Sequence, residues 1–469
     1  MVFSSLIFLY LFLPSCILLY YAWNNRTYRN ALLTLYSLVF YAWGEPIWVT
    51  LLIFSASLDY GNALLIEKHR GTVWAKVGLW SSVVLNLGLL FLFKYSGFIY
   101  ENVNLLLGTH FSIPQFALPI GISFYTFQTI SYVLDVYRNE VPAQRNYLNF
   151  LLFVSLFHQL VAGPIVRYVH IADEIDNRKF NIADIAGGIH RFCIGLFKKV
   201  CIANVAGELV VKYLDSDFNN LTVAGGWFGL LMFTLQIYFD FSGYSDMAIG
   251  MGRMFGFHYH ENFDYPYISR SSTEFWRRWH ISLGSFFRDY VYIPLGGKVH
   301  KPYRNLFIVW FLTGFWHGAS WNFILWGLYF GVLIALERLF LKKVMDALPR
   351  FVSHLYLLFA VVLGWALFYF TDLHRLGAFM NILFGASANP AWNLEISLTL
   401  KEHLFWLILA LILCTPVYLW AYKKLYQKLE DRSLSFGQLA LTLANILLLL
   451  GSTAMLVGKS YNPFLYFRF

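Results

Sequence analysis

Long apolar segments recur along the whole chain and are separated by short polar connections. Crossing a bilayer as a helix requires roughly 20 consecutive apolar residues. Several segments reach that length, whereas others are too short to cross alone. We therefore predict an all-α, polytopic integral membrane protein with about eleven transmembrane helices, supplemented by re-entrant or half-helices. The apolar segments cover residues 5–23, 31–44, 46–66, 77–99, 116–137, 147–163, 186–214, 225–252, 305–316, 318–340, 353–371, 403–421 and 436–457.

Basic residues concentrate in the connections between these segments. Lys and Arg are retained mainly in cytoplasmic loops, so their positions orient the helices. We predict a multi-pass protein of the bacterial cytoplasmic (inner) membrane, with both termini outside the cytoplasm and the number of crossings between about 147 and 225 left open. The clusters are Arg26 and Arg29, Lys68 to Lys76, Arg138 and Arg145, Lys198 and Lys199, Arg270 to Arg304, Lys342 and Lys343, and Lys423 to Arg432.

Composition agrees with a membrane protein and excludes a soluble one. Hydrophobic residues make up 58% of the 469 residues and charged residues only 13%, about half the charged fraction of a soluble domain. The net charge of +9 does not indicate nucleic-acid binding, because the cations lie in the loops rather than on one face. The four cysteines form no Cys-x-x-Cys pair, so neither a disulfide framework nor a zinc site is expected.

One apolar run contains a histidine. Residues 305–335 include no Lys, Arg, Asp or Glu. As one helix they would extend about 46 Å, well beyond a hydrocarbon core of roughly 30 Å. The run must therefore break, and its basic flanks place the break deep in the membrane together with His317. An ionisable residue at that depth indicates a functional site, although a structural histidine bonded between helices is the alternative. The residues that favour a break are Gly314, Gly318, Ser320 and Asn322.

A second cluster joins aromatic residues, cations and a histidine in Trp276-Arg277-Arg278-Trp279-His280. One interpretation is a cytoplasmic entrance at which Arg277 and Arg278 hold an anionic donor. The other is an interfacial anchor, because aromatic rings and snorkelling cations are common among headgroups. Asp240 and Asp246 lie six residues apart on a predicted helix and do not share a face, so we expect one of them to cap a helix or orient an arginine.

Other kinds of catalytic site find no support. The chain has no Gly-x-Ser-x-Gly, Walker-type glycine loop or His-Glu-x-x-His motif. His258 and His260 are two residues apart and would not face one way on a helix, so no metal site is predicted. Neither internal repeats nor an extramembrane domain is visible. We predict a single membrane-embedded domain over residues 1–469, with its catalytic segment at about 236–340.

Several motifs, in order along nearly the whole chain, resemble the membrane-bound O-acyltransferase superfamily and most closely its bacterial alginate O-acetyltransferase branch. They are Met1-Val2-Phe3-Ser4-Ser5, Tyr41-Ala42-Trp43, the segment Leu118 to Phe127, Val161-Ala162-Gly163-Pro164-Ile165, the segment Asp240 to Asp246, Phe275 to His280, Trp316-His317-Gly318-Ala319 and Asn462 to Phe467.

The resemblance implies helices arranged around a transmembrane tunnel, with His317 as the deep catalytic histidine and His280 as a second one nearer the cytoplasm. We assign substrate binding to Trp276, Arg277, Arg278, Trp316 and Asn322. The aromatic C-terminus suggests that Tyr466 receives an acyl group or that the tail docks a partner protein, whereas an aromatic membrane belt is the plainer interpretation.

The function expected is transfer of acetyl groups from a cytoplasmic thioester such as acetyl-CoA, with no permanently bound cofactor, towards an exported polysaccharide such as alginate. A periplasmic or extracellular acetyltransferase is the expected partner. Within the same fold, the alternative is O-acetylation of peptidoglycan or another envelope glycan. Outside it, the alternatives are a proton-coupled transporter, which the absent repeats disfavour, and a non-catalytic scaffold.

Overall fold

The structure, a computed structural model, describes residues 1–114, 116–160, 163–421, 424, 434–458 and 464–465. Every regular element within those residues is helical, which confirms the all-α prediction. The described chain forms two compact units, and both are discontinuous in sequence. The first comprises Met1–Phe192 and Tyr244–His260, and the second comprises Cys193–Gly243 and Glu261–Phe469. The predicted catalytic segment lies in the second unit, apart from its residues 244–260.

The first unit contains nine complete helices among its described residues, and it shares α10 and α12 with the second unit. Their bounds are α1 Leu13–Ala22, α2 Arg26–Gly44, α3 Val49–Lys68, α4 Val73–Leu90, α5 Ser96–Leu107, α6 Ile122–Tyr137, α7 Tyr147–Ser155, α8 Phe157–Leu160, α9 Tyr168–Asn177, α10 Ile182–Phe197 and, later in the chain, α12 Val223–Met254. Short π-helical turns at Phe8–Phe12 and Phe91–Tyr95 extend α1 and α4.

The second unit holds the remaining helices of the described chain. They are α11 Asn204–Leu214, α13 Ser272–Arg278, α14 Ile281–Phe287, α15 Pro302–His317, α16 Trp321–Leu336, α17 Lys342–Ala347, α18 Arg350–Tyr369, α19 Leu373–Leu383, α20 Leu394–Leu413 and α21 Leu434–Leu456. Three more π-helical turns lie at Lys198–Ala203, Arg288–Tyr292 and Glu337–Leu341.

Six helices of the described chain are long and apolar enough to cross a membrane, which confirms a multi-pass membrane protein. They cover Val49–Lys68, Val73–Leu107, Trp321–Ala347, Arg350–Tyr369, Leu394–Leu413 and Gly437–Leu456. Their outward surfaces carry large exposed apolar side chains such as Leu105, Phe405 and Leu447, which suits contact with lipid rather than water. The count of about eleven crossings stays a prediction.

Side chains with local hydrogen-bonding capacity begin several helices. Asn25, Asn146 and Asn393 accept bonds from backbone N–H groups in the first turns of α2, α7 and α20. Ser271 begins α13 in the same way by accepting from the N–H of Glu274. Such caps satisfy N–H groups that a helix leaves without a partner. They fix where the apolar segments become helical even though apolar periodicity alone leaves the boundaries imprecise.

Candidate functional site

The predicted break in the uncharged run is confirmed and lies at Gly318–Ser320. Helix α15 ends at His317, Gly318 is extended, and α16 starts at Trp321. The two helices then pack closely, because a Cβ atom on Gly314 would lie only 2.3 Å from the carbonyl oxygen of Phe323. A side chain at position 314 would therefore force the helices apart. The absence of a side chain at Gly314 lets α15 and α16 pack closely, with His317 at the turn between them.

His317 lines a cavity with about 450 Å³ of empty space within the second unit. Its ring lies 5.0 Å from the ring of Trp326 and 5.3 Å from that of Phe368, measured between centroids. Asp240 is the other ionisable side chain of the lining, and the remaining walls are aromatic or aliphatic. In such surroundings charges interact more strongly than in water. The other lining residues are Ile237, Phe241, Trp279, Trp365, Phe464 and Leu465.

His280 is 2% exposed, and its proton can be assigned from its neighbours. Its Nδ1 lies 3.2 Å from Oδ1 of Asn262, which also accepts bonds from the backbone N–H and the hydroxyl of Ser282. Because a backbone N–H can only donate, the Asn262 atom must be the oxygen, so Nδ1 of His280 carries the proton. Nε2 then has a free lone pair, and it is buried with no hydrogen-bond partner in the part of the chain that the structure describes.

The backbone and the charge state of His280 are both unusual. Its φ of 44° is left-handed, a conformation that costs energy for a residue other than glycine and is often found at functional sites. Burial lowers the pKa of His280 to about 3, so the imidazole is neutral near pH 7. A neutral ring whose Nε2 has no partner in the described chain is suited to accept a hydrogen bond.

Trp316 contacts both histidines. The centroid of its ring lies 5.0 Å from that of His317 and 6.2 Å from that of His280. Phe241 also links the two sites, since it lines the cavity of His317 and meets the ring of His280 edge-on at 4.7 Å. The structure thus brings the two predicted histidines into one aromatic neighbourhood, although 37 positions separate them in the sequence.

Arg277 and Arg278 lie at a second, open cavity, which we call the vestibule, with about 1980 Å³ of empty space. Arg278 is already paired with Asp264 at 2.9 Å and with Glu274 at 3.2 Å, whereas Arg277 is exposed. The vestibule is rich in cations. Its ionisable lining comprises Arg270, Arg277, Arg278, Lys298, Arg338, Lys342 and Arg350, together with Asp264, Glu274, Glu337 and Asp346.

The other two predicted substrate-binding residues, Trp276 and Asn322, make contacts within the second unit. Trp276 packs against the rings of Trp310 and Phe330, each at 4.9 Å. Asn322 is fully buried, and its amide donates to the carbonyl oxygens of Leu367 and Phe368. Neither residue is among the lining of the cavity or the vestibule. Tyr466 lies outside the described residues.

Three polar residues support the site, and the sequence analysis did not assign any of them to it. Asn262 sets the tautomer of His280. Glu337 is buried, and its carboxylate accepts from the backbone N–H groups of Ser272 and Thr273, which anchors the start of α13. Lys199 pairs with Asp240 at 2.6 Å. A carboxylate within an apolar segment is a signal in the sequence that could have identified Glu337 as a candidate. No feature of the sequence near Asn262 identifies that residue.

The two acidic residues of the predicted helix differ in their partners. Asp246 binds Arg191 at 2.9 Å, which confirms that one of them orients an arginine.

His258 contacts Glu174 at 2.7 Å and Asp184 at 3.6 Å through opposite ring nitrogens, so these carboxylates do not converge on one point. No group of three or more potential ligands that would hold a metal occurs among the described residues.

Comparison with known proteins identifies the family of this chain. The model of MBOAT, the membrane-bound O-acyltransferase family, matches residues 4–380. The chain is 38% identical to a probable alginate O-acetylase, AlgI, of Azotobacter vinelandii and 39% identical to that of Pseudomonas putida, in both cases over 100% of each chain. It is 35% identical to a peptidoglycan O-acetyltransferase of Helicobacter pylori over 78% of this chain and 77% of that protein. The chain therefore belongs to the membrane-bound O-acyltransferase family.

Proposed function

We propose that this protein passes acetyl groups from a cytoplasmic thioester, such as acetyl-CoA, towards an exported polysaccharide such as alginate. The observation that carries the proposal is the pair of histidines packed on Trp316, one lining an apolar cavity and the other neutral with a free Nε2. The relatives of similar length, which are named as probable alginate O-acetylases, support the acetyl group and the class of acceptor.

In this mechanism His317 is the general base. It takes the proton from an attacking hydroxyl, whose oxygen forms the new ester bond at the thioester carbonyl. The carbon–sulfur bond breaks, and the thiol leaves with the proton that His317 returns. His280 would orient the donor or relay the proton through Nε2. Holding both reactants beside these rings would supply part of the acceleration, because positioned reactants avoid the entropy cost of meeting.

The vestibule is our proposed donor entrance. Its cations outnumber its carboxylates, and Glu337 is buried against backbone N–H groups, so the net field favours an anion such as the phosphates of a thioester carrier. Arg278 is held by two carboxylates. Arg277 is therefore the better candidate for direct phosphate contact, and Arg278 would shape the entrance.

Arg277→Ala should raise the apparent KM for an anionic thioester about fivefold, because an exposed charge-assisted contact contributes on the order of 1 kcal/mol, and kcat should change less. Arg278→Ala should also raise KM. Steady-state kinetics with purified protein would measure both. Arg288→Ala is the control, since Arg288 is an exposed arginine paired with Asp289 away from the vestibule. Unchanged KM values for both variants would return the pair to the interfacial-anchor interpretation.

The acceptor is the less defined half of the proposal. The peptidoglycan O-acetyltransferase of Helicobacter pylori favours peptidoglycan or another envelope glycan as the second candidate. Purified protein in vesicles, supplied with labelled acetyl-CoA and each glycan in turn, would decide between them. Thiol release and label transfer would support the enzyme, whereas proton flux without thiol release would support a transporter. A neighbouring gene for a periplasmic transferase would identify the expected partner.

The finer topology also belongs to this proposal. About eleven crossings around a tunnel would let the donor enter from the cytoplasm and the acetyl group leave on the other side. Both termini would then lie outside the cytoplasm in the inner membrane, and the whole chain would act as one domain. Tag accessibility at each terminus in intact cells tests the orientation.

The C-terminal tail is proposed to carry the acetyl group outwards or to dock the partner. In the relay, the phenol of Tyr466 attacks the thioester carbonyl, the thiol leaves with the phenolic proton, and a glycan hydroxyl or the partner later displaces tyrosine. A phenolic ester is more activated than a sugar ester, so onward transfer is favourable. Phe464 and Leu465, next to Tyr466, line the cavity of His317, which supports the relay.

Deletion of Tyr466 to Phe469 and the single change Tyr466→Phe test this role by glycan acetylation in cells. The relay predicts that both variants lose acetylation, because both lack the acceptor oxygen. Phe467→Leu, which keeps that oxygen, is the control. If only the deletion variant loses acetylation, the tail docks the partner and the covalent relay through Tyr466 is excluded. Normal acetylation by both variants would make the tail an anchor only.

A further inference from the structure

Asp240 connects the core of the second unit to the C-terminal tail. Its carboxylate lies in α12 and is 2% exposed. Oδ1 pairs with Nζ of Lys199 at 2.6 Å, while Oδ2 accepts a hydrogen bond of 2.7 Å from the backbone N–H of Leu465. One carboxylate thus holds a buried lysine on one side and a residue 225 positions away in the sequence on the other.

Two uncommon features of the backbone bring Lys199 to this carboxylate. Lys199 lies in the π-helical turn Lys198–Ala203, a geometry that is rare and often marks functional sites. Gly243, one helical turn after Asp240, allows close approach, since a Cβ atom there would lie 2.8 Å from the carbonyl oxygen of Gly195. A buried ion pair costs desolvation energy that is recovered only with good geometry. The ion pair of Lys199 and Asp240 nevertheless occurs here, and the backbone is adapted to it. This indicates that the pair has a role beyond stabilising the fold.

The tail residues held by Asp240 are part of the catalytic cavity. Phe464 and Leu465 are each 6% exposed, and both line the cavity of His317 alongside Asp240 itself. Leu465 also belongs to the hydrophobic core of the second unit. Breaking the hydrogen bond from the N–H of Leu465 to the carboxylate of Asp240 would release this wall and open the cavity on that side.

We propose that Asp240 is a positioning residue that fixes Phe464 and Leu465 as a wall of the catalytic cavity, while Lys199 compensates its charge. The role rests on the proposed function, because it matters only if His317 performs the transfer. The contact that this role requires is the hydrogen bond from the N–H of Leu465 to a carboxyl or amide oxygen at position 240. The charge of Asp240 serves to pair with Lys199 and has no part in the proton transfer.

This distinction gives a test with two double variants. Asp240→Asn with Lys199→Met keeps an oxygen acceptor for Leu465 and removes both charges. Asp240→Ala with Lys199→Met removes the acceptor and leaves no unpaired buried lysine. Leu465→Cys reports on docking, because its side chain is accessible to a maleimide only when the tail is released. Protein without Leu465→Cys gives the background from the four native cysteines, which are buried.

The Ala–Met variant should label at position 465 about tenfold faster than the parent and lose acetylation by a similar factor, as expected for losing a hydrogen bond to a charged group. The Asn–Met variant should stay protected and acetylate within about threefold of the parent. Asp246→Ala with Arg191→Met, which removes a comparable ion pair from the first unit, should leave labelling unchanged. Size-exclusion profiles in detergent confirm folding of every variant.

Three results would overturn the proposal. Protection of position 465 in the Ala–Met variant would show that Asp240 does not hold the tail. Fast labelling there with normal acetylation would show that the wall is dispensable. A protected but inactive Asn–Met variant with a shifted pH profile would make Asp240 an electrostatic partner of His317 instead. His317→Ala in the same background separates the two ideas, because it should abolish acetylation while position 465 stays protected.

Discussion

Replacing His317 with alanine is expected to reduce acetyl transfer by about 10²–10⁴-fold, the usual cost of losing a general base. The physical reason is the place of the side chain. It lies at the turn between α15 and α16 and faces a cavity whose other walls, apart from Asp240, are aromatic or aliphatic. Water cannot readily replace a base in such surroundings. Thiol release from the donor by purified protein is the measurement, with glycan acetylation in cells as a second readout.

The control for this variant is His300→Ala, which removes an exposed histidine from the loop before α15. It should leave transfer unchanged. Membrane insertion and detergent stability should be the same for both variants, because His317 is only partly buried and ends its helix. Residual transfer above about a tenth of the parent would refute the role of His317 as general base.

The second large effect is expected at His280, where alanine should lower transfer by at least about 10²-fold. Its Nε2 is the acceptor that the proposed relay needs, and alanine removes it. His280→Asn is the matched variant, because asparagine tolerates the left-handed backbone but lacks the ring. Both should be inactive if the lone pair of Nε2 matters. If asparagine restores transfer, the ring serves only to shape the turn.

Asn262→Asp adds a test through pH. A carboxylate opposite Nδ1 stabilises the imidazolium and raises the pKa of His280 from its low value of about 3. The variant should retain transfer above the raised pKa and lose it as pH falls through that pKa, because the charged ring has no free lone pair. The parent should show no such loss until much lower pH. Identical pH profiles of kcat/KM would argue that His280 takes no part in proton transfer.

The membrane class of this protein could be predicted from its amino-acid sequence alone. Apolar segments of bilayer length leave no soluble alternative, since too few polar residues exist to cover such a chain. The assignment of Lys198 and Lys199 to a connection was wrong, because both are buried in a π-helical turn. The break beside His317 also followed from length alone, because an uncharged run of 31 residues exceeds the bilayer. Some of the motifs that indicated the family lie in these segments, whereas Phe275 to His280 and Asn462 to Phe467 lie outside them. The apolar segment 186–214, in contrast, divides into two α-helices joined by a π-helical turn that no pattern in the sequence indicates.

The pairing of the polar groups at the site could not be predicted from the sequence and became visible in the structure. Asn262 fixes the tautomer of His280 from 18 positions away, and Asp240 reaches both Lys199 and the tail. Trp276 and Asn322 are not among the residues that line either cavity, and their assignment to substrate binding stays a prediction. Apolar periodicity predicts which side of a helix is buried, because that side is set by residues that are close in the sequence. The partner of a buried polar group depends on which distant segment packs there, and on whether small residues such as Gly243 and Gly314 let the backbones meet.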